Sequence, residues 1–228
     1  MFESHTRLGA TPENVERYLE FSTEVSDLID RYHPDFVTSG RPQTAIAMTM
    51  FMLTLEHRQA IMLLVHHGAR SPAAALIRPI FEAYFRGVWA LKVATKEQIQ
   101  NILGDHPRVP TLDTVLQQLR KNEATRHLAA YDSWKASGDY VHSGPLQLNR
   151  WLSSGGIEPL HPDSDAIDML ELSDFCGLLA CIGMNEACGR HPPELEAKLT
   201  EHTLRKLSRR VVEVYFGSED ACHSESNS

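Results

Sequence analysis

LIRPIFEAYFRGVWA, residues 76–90, reads as a helix that is apolar on nearly every side. Such a helix belongs in a core. Yet it carries Arg78, Glu82 and Arg86 at successive four-residue steps, with Pro79 inside it. At ~100° per residue, Arg78, Glu82, Arg86 and Trp89 share one stripe with Phe85 at its edge. Ile77, Ile80, Ala83, Tyr84, Val88 and Leu91 cover the other side. Two readings of the stripe stay open. In one it is a solvated face with a ladder of ion pairs worth ~0.2–0.5 kcal/mol each. In the other it is a site. Phe85 and Trp89 lie too close to it for a wet surface. A proline well inside a helix costs up to ~3 kcal/mol and frees a carbonyl, here that of Ala75.

Outward from this stretch the chain reads as helix almost throughout. Thr11-Pro12 has the form of a cap followed by proline at the first helical position, and predicts a helix to about Arg31. Arg41-Pro42 opens a second, ending near His67 before Gly68. Ser71-Pro72 caps a third, continuous to about Ala94. Thr95 starts a short helix to about Leu103, and Thr111 another to about Lys121, followed by one to about Ala136. Residues 145–163 hold Gly155-Gly156 and several prolines without a helical period, a long excursion in which QLNRWL could be extended. Helices from Asp165 to about Gly189 and from Pro193 to about Phe216 complete the pattern. The expected fold is all-α, a bundle of long antiparallel helices with shorter helices and one long irregular excursion. Residues 1–217 are expected to form a single domain, with 218–228 a disordered tail.

Bulk properties narrow the function. At 228 residues and 42% hydrophobic, the chain can bury a sizeable core. Its first residues show no secretory pattern. The longest apolar run, Ala45 to Leu55, falls short of the ~20 residues of a spanning helix. Four cysteines without a C-x-x-C pair fit reduced thiols, so a cytoplasmic protein with no membrane association is expected. A net charge of −8 argues against a general nucleic-acid binder. Between Arg41 and Lys92, however, six basic residues face two acidic ones, an excess of four positive charges that leaves −12 elsewhere. A local anion site fits that imbalance.

Three further clusters bear on chemistry. On the second helix Glu56, Gln59 and His66 or His67 could face the Arg-Glu-Arg stripe, or EHRQ could be one exposed turn. SGDYVHSG, residues 137–144, places His142 in a glycine-flanked turn, where an imidazole can reach into a cleft. The alternative is a loop histidine with no task. His161-Pro-Asp163-Ser-Asp165 could hold a metal, but reads better as a turn with Asp165 capping the next helix. Arg209-Arg210, late in the last helix, suit its dipole. No P-loop and no H-E-x-x-H is present, and neither cofactor nor metal is expected.

ALIRPIFEAY (Ala75–Tyr84) and SGDYVHSG together resemble a family of bacterial helical proteins of unknown function, which pair an R-x-x-x-E helix with a Y-V-H turn about 60 residues on. The resemblance covers roughly Arg41 to Leu152. It implies that Arg78, Glu82 and His142 belong to one site and supplies no activity. Arg120 followed by His127, with six residues between, also resembles the HEPN-like ribonucleases of bacterial defence and toxin systems. Lys121 departs from the Asn, Asp or His usual after that arginine. On this reading Arg120 and His127, with Glu56, are secondary candidates. The expected activity is metal-independent cleavage at a phosphate-bearing substrate. His142 is the acid or base, Arg78 and Arg86 bind the anion, and Glu82 holds the arginines in register or orients His142. The alternative is a non-enzymatic binding or dimerisation module built on a buried Arg-Glu-His network. RNA, a small anionic ligand and a second copy of the chain are the candidate partners.

Overall fold

The computed structural model describes residues 12–35, 41–126, 148, 151–153, 156–157 and 161–216, with side chains to 209 in the last helix. Among them the helices are α1 (Glu13–Tyr32), α2 (Pro42–His66), α3 (Arg70–Ala75), α4 (Ile77–Lys92), α5 (Lys96–Leu103), α6 (Leu112–Lys121), α7 (Asp163–Ala187) and α8 (Pro193–Phe216). A two-residue antiparallel pair, β1 (Leu152–Ser153) and β2 (Gly156–Ile157), lies within the excursion; of QLNRWL, Leu152 alone is placed in a strand, while Leu148 is helical and Trp151 is in a turn. The fold is all-α.

α7 is the central element and packs against α1, α2, α4 and α8. It is buried on most sides, from Ala166 to Asn185. Pairwise contacts set the helix directions. Arg58 meets Asp174 while Phe51 lies beside Gly183, so α2 and α7 are antiparallel. His202 lies against Phe175 and Arg209 binds Glu171, so α8 is antiparallel to α7 too. Ser22 meets Asp174 and the Tyr32 carbonyl meets Asn185, so α1 runs parallel to α7.

The closest approaches are made by glycine. The Phe51 ring is wedged between Gly87 of α4 and Gly183 of α7, where added Cβ atoms would lie 2.6 and 2.7 Å from ring carbons. α2 and α7 both end in a glycine in the left-handed region, Gly68 (φ 72°) and Gly189 (φ 69°). In each, the residue after the glycine donates back to Leu64 or Asn185, the crossed pattern that satisfies the last carbonyls of a helix.

Several expectations need correction. The stretch from Ser71 to Ala94 is not one helix. It breaks at Leu76, and Pro79 becomes the third residue of α4. The N–H that proline lacks is there one of the first-turn donors with no helical acceptor, so the expected interior penalty disappears. Ser71 is the second residue of α3, not a cap. Pro12 occupies the cap position of α1 rather than its first turn. α7 starts at Asp163 with Pro162 in the cap position, so Asp165 is the third residue of the helix and not its cap. Thr95 and Thr111 do cap α5 and α6, the former in a reciprocal box with Gln98. The expected helix to Ala136 lies largely outside the described residues.

Candidate functional site

On α4 the ladder forms as its spacing requires. Arg78 Nε donates to Glu82 Oε1 at 2.9 Å, and Arg86 Nη1 donates to Glu82 Oε2 at 2.8 Å. Arg86 Nε also reaches the Pro110 carbonyl at 3.4 Å. The three side chains are 30%, 23% and 21% exposed, so the stripe is a half-open face and not a wet one. Burial pushes the Glu82 carboxyl up, but the two guanidiniums outweigh it and hold the group below its ordinary range. Trp89, on the same stripe, is buried, and its indole N–H donates to Gln118 Oε1 at 2.6 Å. The stripe thus passes from a half-open end at Arg78 to a covered end beneath α6.

Among the described residues, the other candidates do not gather here. Glu56 and Arg120 are both exposed, and Glu56 makes no ion pair with Arg78 or Arg86. EHRQ is not simply one exposed turn, because Arg58 within it is buried. His142 and His127 lie outside the described residues. Among the described residues no three His, Cys, Asp or Glu side chains converge on a metal-binding geometry. Cys176 and Cys181 are free and buried on α7, where burial pushes both thiols up to about 12.

A second polar cluster escaped the sequence reading. Arg58 is 4% exposed and each of its nitrogens has an acceptor. Nε donates to Asp174 Oδ1 at 2.9 Å, Nη1 to Ser26 Oγ at 2.9 Å and Nη2 to the Ser22 carbonyl at 2.5 Å. The Ser22 hydroxyl donates to Asp174 Oδ2 at 2.7 Å. Burial holds the Asp174 carboxyl above the ordinary carboxylate range, against the pull of Arg58 and Ser22. Gly177 makes room for the guanidinium stem, since a Cβ there would sit 2.4 Å from Arg58 Cδ. Nearby, His202 is 2% exposed between the rings of Phe21 and Phe175, and neither ring nitrogen has a hydrogen-bond partner. Burial pushes it below the ordinary histidine range, with Asp174 opposing.

This cluster also changes the meaning of the charge imbalance. Arg58, Arg70 and Lys92 supply three of the six basic residues between positions 41 and 92. They pair with Asp174, Asp163 and Glu186, all on α7. Much of the local positive excess is therefore matched inside the fold. Arg209 likewise does more than suit a helix dipole. It grips buried Glu171 through two nitrogens, at 3.1 and 2.8 Å, and reaches Asp168 as well.

No helix among the described residues is long and apolar enough to cross a membrane. The architecture is all-helical, with four arginine or lysine side chains paired to acidic residues of the central helix α7 and a separate ion-pair ladder on α4. Residues 51–206, from the Phe51 wedge to the middle of α8, match DUF6988, a family of unknown function, and the chain belongs to that family. Comparison with curated proteins and with solved structures gives no match.

Proposed function

We propose that the half-open face of α4 binds a phosphate-bearing ligand, with Arg78 and Arg86 as its anion contacts and Glu82 as the clamp between them. One observation carries this reading: a single ionised carboxylate accepts from both guanidiniums and fixes them two helical turns apart. The face keeps a net positive charge, whereas the arginines paired to α7 do not. RNA is the ligand class this reading favours. Its 2′-hydroxyl is an internal nucleophile, so cleavage needs neither metal nor a covalent enzyme residue, and His142 is the group assigned to move the proton.

The test is fluorescence anisotropy of a labelled single-stranded RNA oligonucleotide against full-length protein, across a salt series. The expected result is binding that weakens with salt, and an Arg86→Ala variant with weaker affinity and a salt slope smaller by about one. Equal binding by wild type and Arg86→Ala would remove the α4 face from the function. RNA integrity with wild type and His142→Ala then separates chemistry from binding. Cleavage lost in His142→Ala supports the ribonuclease, and intact RNA under tight binding supports the non-enzymatic module.

A further inference from the structure

Far from α4 in sequence, the segment His161-Pro-Asp163-Ser-Asp165 returns to the bundle beside the start of α3. Arg70 anchors it there, donating to the His161 carbonyl and to Asp163 Oδ1 at 2.5 Å. The anchored backbone sets the His161 ring against Ser71, with Nε2 2.7 Å from Oγ. On the other side of the ring, Asp165 Oδ2 lies 3.9 Å from Nδ1. The His161 side chain is 4% exposed, while Ser71 stays half-buried. A carboxylate on the Nδ1 side favours the tautomer with its proton there, which leaves Nε2 as the acceptor for the serine hydroxyl. The Trp151 indole N–H donates to the same Oγ at 3.1 Å.

We infer that Ser71, His161 and Asp165 form a serine nucleophile, its base and its positioning carboxylate, and act on a carboxylic ester with an apolar acyl group. The order of contacts is that of a nucleophile, a base within hydrogen-bond reach and a third group that orients the base. The 3.9 Å separation is longer than a hydrogen bond, as such contacts often are before substrate binds. The acyl preference follows from the neighbourhood. Trp151 touches the nucleophile and is 39% exposed, and Leu148, whose carbonyl accepts from the Trp151 backbone N–H, is 54% exposed.

The chemistry balances with water as the only other reactant. Ser71 Oγ bonds to the carbonyl carbon while its proton passes to His161 Nε2. The indole N–H of Trp151 is a donor beside the oxyanion that develops. Collapse of the tetrahedral intermediate breaks the bond to the alcohol, which leaves with the proton from His161. Water then attacks the acyl-serine and gives a proton to His161. Ser71 departs carrying that proton, and the carboxylic acid is released.

Full-length protein treated with a biotin-bearing fluorophosphonate, then mapped by peptide mass, tests the assignment. The expected result is one adduct, on Ser71, lost in His161→Gln. Hydrolysis of p-nitrophenyl butyrate should fall about 10³-fold in Ser71→Ala. Asp165→Asn should lower kcat with KM unchanged and move the acid limb of the pH profile down. A merely structural Asp165 leaves that limb in place. If Ser71→Ala fails to fold, Ser71→Cys keeps the shape, and the introduced thiol should be alkylated by iodoacetamide at pH values well below the usual thiol range. Three results overturn the proposal: no adduct on Ser71 in folded wild type, labelling that persists in His161→Gln, or ester hydrolysis indifferent to Ser71→Ala.

Discussion

Arg58 with Asp174 and Arg86 with Glu82 are the same chemical pair in two surroundings. The first spans two helices, is almost dry, and gives every nitrogen of the arginine an acceptor. The second lies on one helix, is about one-fifth exposed, and shares its carboxylate with another arginine. The dry pair spends its charge on packing. The half-open pair keeps charge where a ligand can meet it. An arginine's role in this bundle thus follows from what surrounds its carboxylate.

The sharpest way to break the contrast is to remove one partner of the dry pair. Asp174→Ala leaves a buried guanidinium without its counter-charge and should cost about 3–5 kcal/mol in urea unfolding. Replacing both partners, Arg58→Met with Asp174→Leu, should recover most of that loss, because the penalty comes from the orphaned charge. If the double variant is no better than the single one, the pair is needed for more than neutrality.

Crowding comes next in size. Gly177→Ala drives a methyl into the Arg58 stem, and Gly87→Ala or Gly183→Ala drives one into the Phe51 ring. Overpacking of this kind costs about 1–3 kcal/mol. Gly177→Ala should also weaken coupling between Arg58 and Asp174 in a double-mutant cycle, whereas Gly87→Ala should not. Equal effects on the coupling would mean that the ion pair adapts and Gly177 is not its spacer.

Acid should loosen the dry side before the half-open one. His202 is held neutral by burial, while the unfolded chain takes up a proton near pH 6.5. Below that pH the unfolded state binds more protons, so stability falls as pH falls. The groups facing His202 are Phe21 of α1, Asp174, Phe175 and the Glu171 backbone of α7, and Arg205 and Lys206 of α8. His202→Phe places a third ring between Phe21 and Phe175 and removes the titration. The wild-type melting temperature should drop between pH 7 and 5 more than that of the variant. Parallel pH curves would exclude His202 as the source.

These contrasts explain what the sequence could and could not show. Helix positions were legible because prolines, glycines and capping threonines punctuate a 3.6-residue period. The break at Leu76 was not, since a proline reads alike in the third and the eighth position until the helix start is known. The α4 ladder was legible because its partners are four residues apart. Arg58 and Asp174 are 116 residues apart, and nothing local marks either as buried. The same distance hid part of the charge balance: three of the six basic residues between Arg41 and Lys92 pair with acidic residues of α7, and no local pattern shows it. Ser71 and His161 were read separately, as a cap and a turn, because only the Arg70 anchor brings them together.

The smallest effect separates clamp from charge. Glu82→Gln removes two i,i+4 pairs and should cost about 0.5–1 kcal/mol, since each such pair contributes little. Arg78 and Arg86 hold the folded carboxyl below its ordinary value, so this contribution is present above about pH 4.3 and fades as pH falls through the folded value. The wild type and Glu82→Gln should therefore converge in stability in acid. RNA binding carries the more telling sign. The variant has one more net positive charge on the α4 face, so charge alone predicts tighter binding. A clamp predicts weaker binding, because two guanidiniums released from Glu82 must be ordered again at the cost of their rotamer entropy. Anisotropy with the same oligonucleotide at two salt concentrations reads that sign. Weaker binding makes Glu82 the organiser of the face, and tighter binding reduces the face to its arginines.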